Sequence, residues 1–116
     1  MKLAIIGSRG LYIRNIGAYL PPGVTELVSG GARGVDSCVR DFAQESGIPL
    51  REFLPDYPRY GRGAPLRRDR EIVCYADEVL AFWDGQSRGT AYVLRLCERL
   101  GKPTRVVLLP PSAGKG

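Results

Sequence analysis

The sequence contains no histidine at all. This absence excludes nucleophile pairs in which histidine activates a serine or a cysteine, and it removes the commonest general base and the usual zinc ligand. Any catalysis by this chain must therefore depend on carboxylates, arginines, tyrosines or backbone dipoles.

Cysteine is scarce and shows neither a disulfide pattern nor a zinc pattern. Cys38, Cys74 and Cys97 lie far apart in helix-like stretches, and an odd number without a CxxC spacing predicts reduced thiols that fill the core. Long apolar runs are also lacking, because the run 3–6 ends at Gly7 and is too short for a signal peptide or a membrane span. We predict a cytoplasmic protein with no membrane partner, no metal site and no resident cofactor.

Lysine is rare although the net charge is +5, since it occurs only at positions 2, 102 and 115 and the other basic residues are arginines. The planar fork of arginine suits bidentate capture of phosphate or carboxylate, which favours an anionic partner. A solvated basic surface explains the charge equally well.

The apolar pattern predicts an α/β fold in a chain whose 116 residues are typical of one domain. Apolar runs and helical spacing alternate along the chain and are stopped by glycine and proline, which indicates a parallel sheet covered by helices on both faces. We predict a Rossmann-like three-layer sandwich with a five-stranded parallel sheet, a domain over 1–109 and a flexible tail over 110–116. The predicted strands are 3–6, 24–29, 48–54, 79–83 and 105–109, and the predicted helices are 11–20, 35–46, 64–75 and 89–100.

The strand order cannot be read from the sequence, but the common orders of such sheets place ligands at the carboxyl ends of the central strands. The loop after the second strand, 29–36, is the most informative, because three glycines before a helix leave amide groups free for an anion. It matches neither GxGxxG nor a Walker loop, and a tight turn that needs glycine is the alternative interpretation. Three roles are open for Asp36. Its carboxylate interacts favourably with the helix dipole, accepts a hydrogen bond from a ribose hydroxyl, or holds the side chain of Arg33.

Two other loops repeat this chemistry after the first and fourth strands. Gly7-Ser8-Arg9 combines glycine with a hydroxyl and a guanidinium, and the loop 83–90 again combines glycines, hydroxyls and an arginine. Ser87 and Thr90 also fit simple helix N-caps, and Trp83 fits a core position.

A stretch over 57–71 carries five arginines with interleaved tyrosines. Such a stretch suits phosphate clamping or base stacking. The alternative is a solvated helix face with pairs such as Arg67–Glu71, and helical geometry allows at most one or two of these arginines to reach a crevice.

These motifs together resemble the SLOG superfamily, and most closely its small single-domain YspA-like branch from bacteria and phages. The resemblance rests on Gly7-Ser8-Arg9, the run 29–36, the stretch 61–68, and Ala76-Asp77 followed by the run 81–90, and it covers residues 1 to about 109. It implies a Rossmann-like domain that binds a nucleotide or a nucleotide-derived ligand. It also implies a distant relation to the Lonely Guy phosphoribohydrolases and to DprA, and relatives often form homodimers.

The resemblance transfers binding better than catalysis. Arg68 is similar in placement to a catalytic arginine of the phosphoribohydrolases, and 87–90 resembles the end of their PGGxGT loop. Their catalytic glutamate has no counterpart, because Ala91, Tyr92 and Val93 follow Thr90. Cleavage of an N-glycosidic bond then lacks its expected carboxylate unless Asp36 or Asp84 substitutes.

We therefore expect a binding or sensing module for a phosphate-bearing, nucleotide-like small molecule. The alternatives are a nucleoside-monophosphate N-glycosidase, with Arg68, Asp36 and Asp84 as catalytic candidates, and a single-stranded nucleic-acid binder that uses 57–70. The predicted ligand-binding residues are Gly7, Ser8, Arg9, Gly30, Gly31, Ala32, Arg33, Gly34, Asp36, Arg68, Asp84, Gly85, Ser87, Arg88, Gly89 and Thr90.

Overall fold

The computed structural model describes residues 1–31 and 33–110. Within these residues, five strands alternate with three long helices and one single-turn helix. The strands are β1 (Lys2–Gly7), β2 (Glu26–Ser29), β3 (Leu50–Glu52), β4 (Glu78–Trp83) and β5 (Thr104–Leu108), and the helices are α1 (Val35–Ser46), α2 (Tyr57–Tyr60), α3 (Ala64–Tyr75) and α4 (Arg88–Leu100).

The strands form one parallel sheet in the order β3-β2-β1-β4-β5. Ile5 of β1 pairs with Leu80 of β4, and Ala4 pairs with Val28 of β2. The chain thus winds outward in one direction from β1 to β3 and in the other from β4 to β5. The switch point lies between β1 and β4, and the predicted α/β fold with a five-stranded parallel sheet is confirmed.

Alternation along the strands divides the core into two layers. Leu3, Ile5 and Phe82 pack on one face against α1 and the segment 11–20, and Ala4 and Ala81 pack on the other face against α3 and α4. Both faces of the central strands are covered, which explains why β1 and β4 appear in the sequence as continuous apolar runs.

The predicted helix over 11–20 is wrong. The segment forms only a short 3-10 helix, Ile16–Tyr19, after an irregular stretch. Leu11, Ile13 and Ile16 are buried at spacings of two and three residues, so no single α-helical face could carry them all into the core. The amide of Ile13 donates to the Cys38 sulfur at 3.3 Å, so tertiary contacts take the place of helical hydrogen bonds.

Two smaller expectations also need correction. The predicted loop 55–63 contains the single turn α2, which begins where the Asp56 carboxylate accepts from the Arg59 amide at 3.2 Å. Cys38 and Cys97 are buried free thiols as predicted, but Cys74 is exposed, because α3 turns Ile72 and Val73 towards the sheet.

The remaining expectations concern the tail and the membrane. The predicted tail lies outside the described residues apart from Pro110. Among the helices of residues 1–31 and 33–110, none has the length and apolar character that a membrane span requires.

Candidate functional site

A crevice of about 500 Å³ opens at the carboxyl ends of β1 and β4. This is the switch point of the sheet, where chains leaving two adjacent strands turn apart and leave a gap. The loops after β1, β2 and β4 form part of its wall, and α3 and the start of α4 complete it. The crevice therefore lies where the sequence predicted a ligand site.

Ten of the predicted ligand-binding residues line this crevice, and they come from all three loops and from α3. These residues are Gly7, Ser8, Arg9, Gly30, Asp36, Arg68, Asp84, Ser87, Gly89 and Thr90. Gly31, Arg33, Gly34, Gly85 and Arg88 lie in the same loops but outside the wall, and Ala32 is outside the described residues. Most of the residues predicted in the loops after β1 and β4 thus line the crevice, whereas only Gly30 and Asp36 do so from the glycine-rich segment after β2.

Ser8 joins the two central strands at the base of the crevice. Its amide donates to the carbonyl of Phe82 at 3.1 Å, and its hydroxyl oxygen accepts from the amide of Asp84 at 3.3 Å. The residue is only 1% exposed. Ser8 therefore fixes the distance between the two loops, in addition to lining the site.

Asp84 organises the loop that leads into α4. One carboxylate oxygen accepts from the amides of Gln86 and Ser87 at 2.8 and 2.7 Å. These backbone hydrogen bonds lower the pKa of the Asp84 carboxyl below its ordinary value, with a smaller contribution from the Ser8 hydroxyl. Asp84 is thus held as a carboxylate that shapes the loop, which makes it a poor proton donor.

We expect the Asp84→Asn variant to unfold at a lower temperature than the wild type at neutral pH. Because the folded pKa of Asp84 is depressed, its stabilising contribution is present above the ordinary carboxyl pKa and disappears as the pH falls through the folded value. Thermal unfolding followed by circular dichroism from pH 7 to pH 2 should show the two curves converging at the acid end. A constant difference across this range would contradict the assignment.

Ser87 caps α4, and the N-terminus of this helix lines the crevice. Its side-chain oxygen accepts from the Thr90 amide at 3.4 Å, which is the capping role that the residue type suggests. Gly89 and Thr90 line the crevice in the first turn, where Ser87 satisfies the Thr90 amide and helix geometry supplies no acceptor for the Gly89 amide. The positive end of the α4 dipole thus faces the cavity. Trp83 is half-buried, and its indole N–H donates to the Ser87 carbonyl at 3.1 Å.

Arg68 enters the crevice from α3 and is held by two hydrogen bonds. Its Nε donates to the Asp69 carboxylate at 2.8 Å and its Nη1 donates to the Gly30 carbonyl at 2.7 Å. The two side chains are 13% and 15% exposed. Burial raises the pKa of the Asp69 carboxyl, and the adjacent guanidinium lowers it only in part. A guanidinium has five N–H donors, so Arg68 keeps donors for a ligand.

Close backbone approach explains two glycines of the loop after β2. A Cβ at Gly30 would lie 2.6 Å from Nη1 of Arg68, so any side chain there would displace the guanidinium. Gly34 has φ = +71°, and a Cβ on it would lie 2.4 Å from the Arg9 carbonyl oxygen. The glycines of this loop therefore allow it to pack against its neighbours, which favours the turn interpretation over a phosphate cradle at Gly34.

Sequence reasoning missed several residues of the wall, most of them on α3. The missed residues are Ile6, Gly10, Pro65, Leu66, Asp69, Ile72 and Val93. Helical spacing from Arg68 could have found Pro65 and Ile72, because residues three and four apart share a helix face. Asp69 is the most consequential, since it adds a partly buried carboxylate beside the arginine.

The charges of the crevice are mixed. Among the described residues it is lined by the guanidinium groups of Arg9 and Arg68 and by the carboxylates of Asp36, Asp69 and Asp84. An anion is therefore favoured near α4 and the arginines, while the carboxylates favour hydroxyl or amino donors. The arrangement suits a ligand that has an anionic end and a hydroxyl-rich part.

No protein-family model, curated protein or solved structure matches the chain. The functional inferences below therefore depend on the residues of this chain and on their arrangement around the crevice.

Proposed function

We propose that this protein binds a nucleotide or a nucleotide-derived, phosphate-bearing small molecule in the crevice between β1 and β4. The supporting observation is the meeting of Ser8, Arg68 and the start of α4 around one cavity at the switch point. Its volume falls within the range of about 300–1,000 Å³ that is typical of small-molecule pockets. Membership of the SLOG superfamily is part of this proposal, because the stretches 7–9, 29–36, 61–68 and 81–90 each contribute residues to the wall of the same cavity.

The phosphate is assigned to the first turn of α4 beside the Gly89 amide, since the Ser87 amide already donates to Asp84 and the Thr90 amide to the Ser87 side chain. Amide groups at a helix N-terminus point along the positive end of the dipole and bind anions without a charged side chain. Arg68 contributes its remaining guanidinium donors from α3. The guanidinium and the helix dipole together offset the negative charge of the carboxylates that line the same crevice.

The carboxylates of Asp36 and Asp69 are assigned to the sugar end of the ligand. Asp36 is buried at the first turn of α1, and it lies close enough to Asp69 to raise the pKa of that carboxyl. Carboxylate oxygens accept only, so they select a group that donates, such as the hydroxyls of ribose. A phosphate ester of a sugar or nucleoside satisfies both ends of the crevice, whereas inorganic phosphate satisfies one.

Calorimetric titration with phosphate-bearing and phosphate-free pairs tests this proposal. We expect nucleoside monophosphates to bind in a saturable one-to-one manner, with the matched nucleosides and inorganic phosphate each at least about tenfold weaker, since each lacks one of the two ends. Native mass spectrometry of the purified protein should also reveal any co-purifying nucleotide. Failure of the whole panel to bind at millimolar concentration, or equal binding of nucleoside and nucleotide, would overturn the proposal.

Hydrolysis of the N-glycosidic bond is a second candidate, favoured by the pairing of Asp36 and Asp69 in one crevice. A buried carboxyl with a raised pKa suits proton donation to a leaving base, and a second carboxylate suits activation of water. Free base should therefore also be measured in the titration mixtures. If none is released at high protein concentration, hydrolysis is excluded and binding is the function that remains.

A further inference from the structure

The positive charge of the segment 57–75 lies mostly outside the crevice. Five arginines and two carboxylates give this segment three of the five net positive charges of the chain. Only Arg68 lines the crevice, and the other four arginines of the segment are exposed. Binding of a small ligand in the crevice therefore leaves most of this charge without a function.

We call the four exposed arginines, together with the exposed Tyr57 and the half-buried Tyr60, the arginine–tyrosine surface. It comprises Tyr57, Arg59, Tyr60, Arg62, Arg67 and Arg70, on α2, α3 and the turn between them. Among the described residues, ion pairs join only Arg40 to Glu52 and Arg68 to Asp69, so no arginine of the surface forms an ion pair with a carboxylate. The surface is thus available to an external anion.

Two guanidinium groups of the surface, those of Arg59 and Arg67, pack on the ring of Tyr60. The Arg67 guanidinium carbon lies 4.5 Å from the centre of the Tyr60 ring, and that of Arg59 lies 5.3 Å from it. The i,i+4 pair Arg67–Glu71, which would have neutralised the helix face, is not formed among the described residues. Stacking holds the planar groups in place while leaving their N–H donors for another partner.

A shallow hollow of about 190 Å³ adjoins this stack. Its volume is below the range of about 300–1,000 Å³ of pockets that enclose whole ligands, so it admits a ring-sized group while the rest of the ligand lies on the surface. Leu54, in its wall, is 66% exposed, and Tyr57, on the turn α2 that contributes Arg59 and Tyr60 to the wall, is 55% exposed. The carboxylates of Asp56 and Glu71 in its wall offer acceptors to amino groups of a base.

We propose that the arginine–tyrosine surface binds single-stranded nucleic acid. Exposed aromatic and guanidinium planes bind the faces of unpaired bases, and the unneutralised arginines follow the phosphate backbone. A duplex hides its base faces, and a peptide of acidic residues has no flat ring for the hollow. Single-stranded RNA and DNA share the chemistry that these groups recognise.

Fluorescence anisotropy with a labelled 12-nucleotide DNA and its RNA equivalent tests this assignment. The variants are Arg59→Ala/Arg67→Ala and Tyr60→Ala. The matched control is Arg14→Ala/Arg95→Ala, which removes the same charge from two exposed positions outside the surface. Circular dichroism of every variant checks that it is folded.

We expect the wild type to bind the oligonucleotide at low salt, and the affinity to fall steeply with salt. The Arg59→Ala/Arg67→Ala variant should bind at least tenfold more weakly. The slope of the logarithm of its affinity against the logarithm of the salt concentration should be shallower by about 1.4, since each single-strand phosphate contact contributes about 0.7. Tyr60→Ala should weaken binding about tenfold with little change in salt dependence, because it removes stacking.

Three results would overturn the assignment: no binding at 50 mM salt, an equal loss of affinity in the Arg14→Ala/Arg95→Ala control, or displacement of the oligonucleotide by polyglutamate or duplex DNA as readily as by unlabelled single strand. Nucleotide binding in the crevice is measured separately by calorimetry, so the failure of one proposal leaves the other standing.

Discussion

Replacing Arg68 with alanine is expected to weaken nucleotide binding by at least about tenfold, because hydrogen bonds to charged groups contribute roughly 1.5–3 kcal/mol. Arg68 is the cationic side chain that the fold holds most firmly in the crevice, through the Gly30 carbonyl and the Asp69 carboxylate. Calorimetric titration of wild type and variant with a nucleoside monophosphate measures the change. Full affinity in the variant would remove Arg68 from the site.

The same substitution should also destabilise the fold, by about 1–3 kcal/mol near neutral pH, since it leaves a partly buried carboxylate without its partner. The loss should shrink as the pH falls and Asp69 becomes protonated, because its folded pKa is already raised by burial. The double variant Arg68→Ala/Asp69→Asn separates the two effects, since we expect it to recover stability but not binding. Arg95→Ala, at an exposed position outside both the crevice and the arginine–tyrosine surface, is the control.

Replacing Gly34 with alanine is expected to lower the free energy of unfolding by about 2–4 kcal/mol. Gly34 has φ = +71°, and the added Cβ would lie 2.4 Å from a backbone oxygen of Arg9, which cannot move as the end of a side chain can. The loops after β1 and β2 would have to separate, and the start of α1 with Asp36 would shift with them. Urea unfolding gives the stability, and titration with nucleotide gives the effect on the crevice.

Gly10→Ala is the matched control, because it lies in the adjoining loop with an ordinary φ and with no atom within 4 Å of an added Cβ. We expect its stability to remain within about 0.5 kcal/mol of the wild type, as for most surface substitutions. An equal loss of unfolding free energy in the two variants would show that both glycines tolerate alanine to the same extent. That result would contradict the close packing of Gly34 on Arg9.

Local patterns predicted most of the elements. The apolar runs that became β1 and β4 are buried on both faces of the sheet, and helices α1, α3 and α4 begin and end within one residue of their predicted bounds. The segment 11–20 failed because its apolar residues are buried by contacts with α1 and the sheet, which no periodicity of its own records.

The candidate site was predicted in part, for a similar reason. Glycine, serine and arginine directly after the apolar strands identified the loops of the site, because surface loops at strand ends are where binding residues concentrate. Asp69 was not found, because a carboxylate beside an arginine on a charged helix is ordinary in sequence and becomes unusual only when both are partly buried in a crevice. The partners of Arg67 were also beyond the sequence, since the Tyr60 ring competes with Glu71 for the same guanidinium.

The sequence by itself determined the fold class, the loops that carry polar groups and the chemistry that the absence of histidine excludes. These depend on the order and type of residues along the chain. Only the tertiary structure decided the strand order, and with it the position of the crevice between β1 and β4. It also decided that Arg68 lies in the crevice while its neighbouring arginines lie outside. The reason is that side chains distant in sequence meet only when the sheet is assembled, and a helix can then turn only one face towards it.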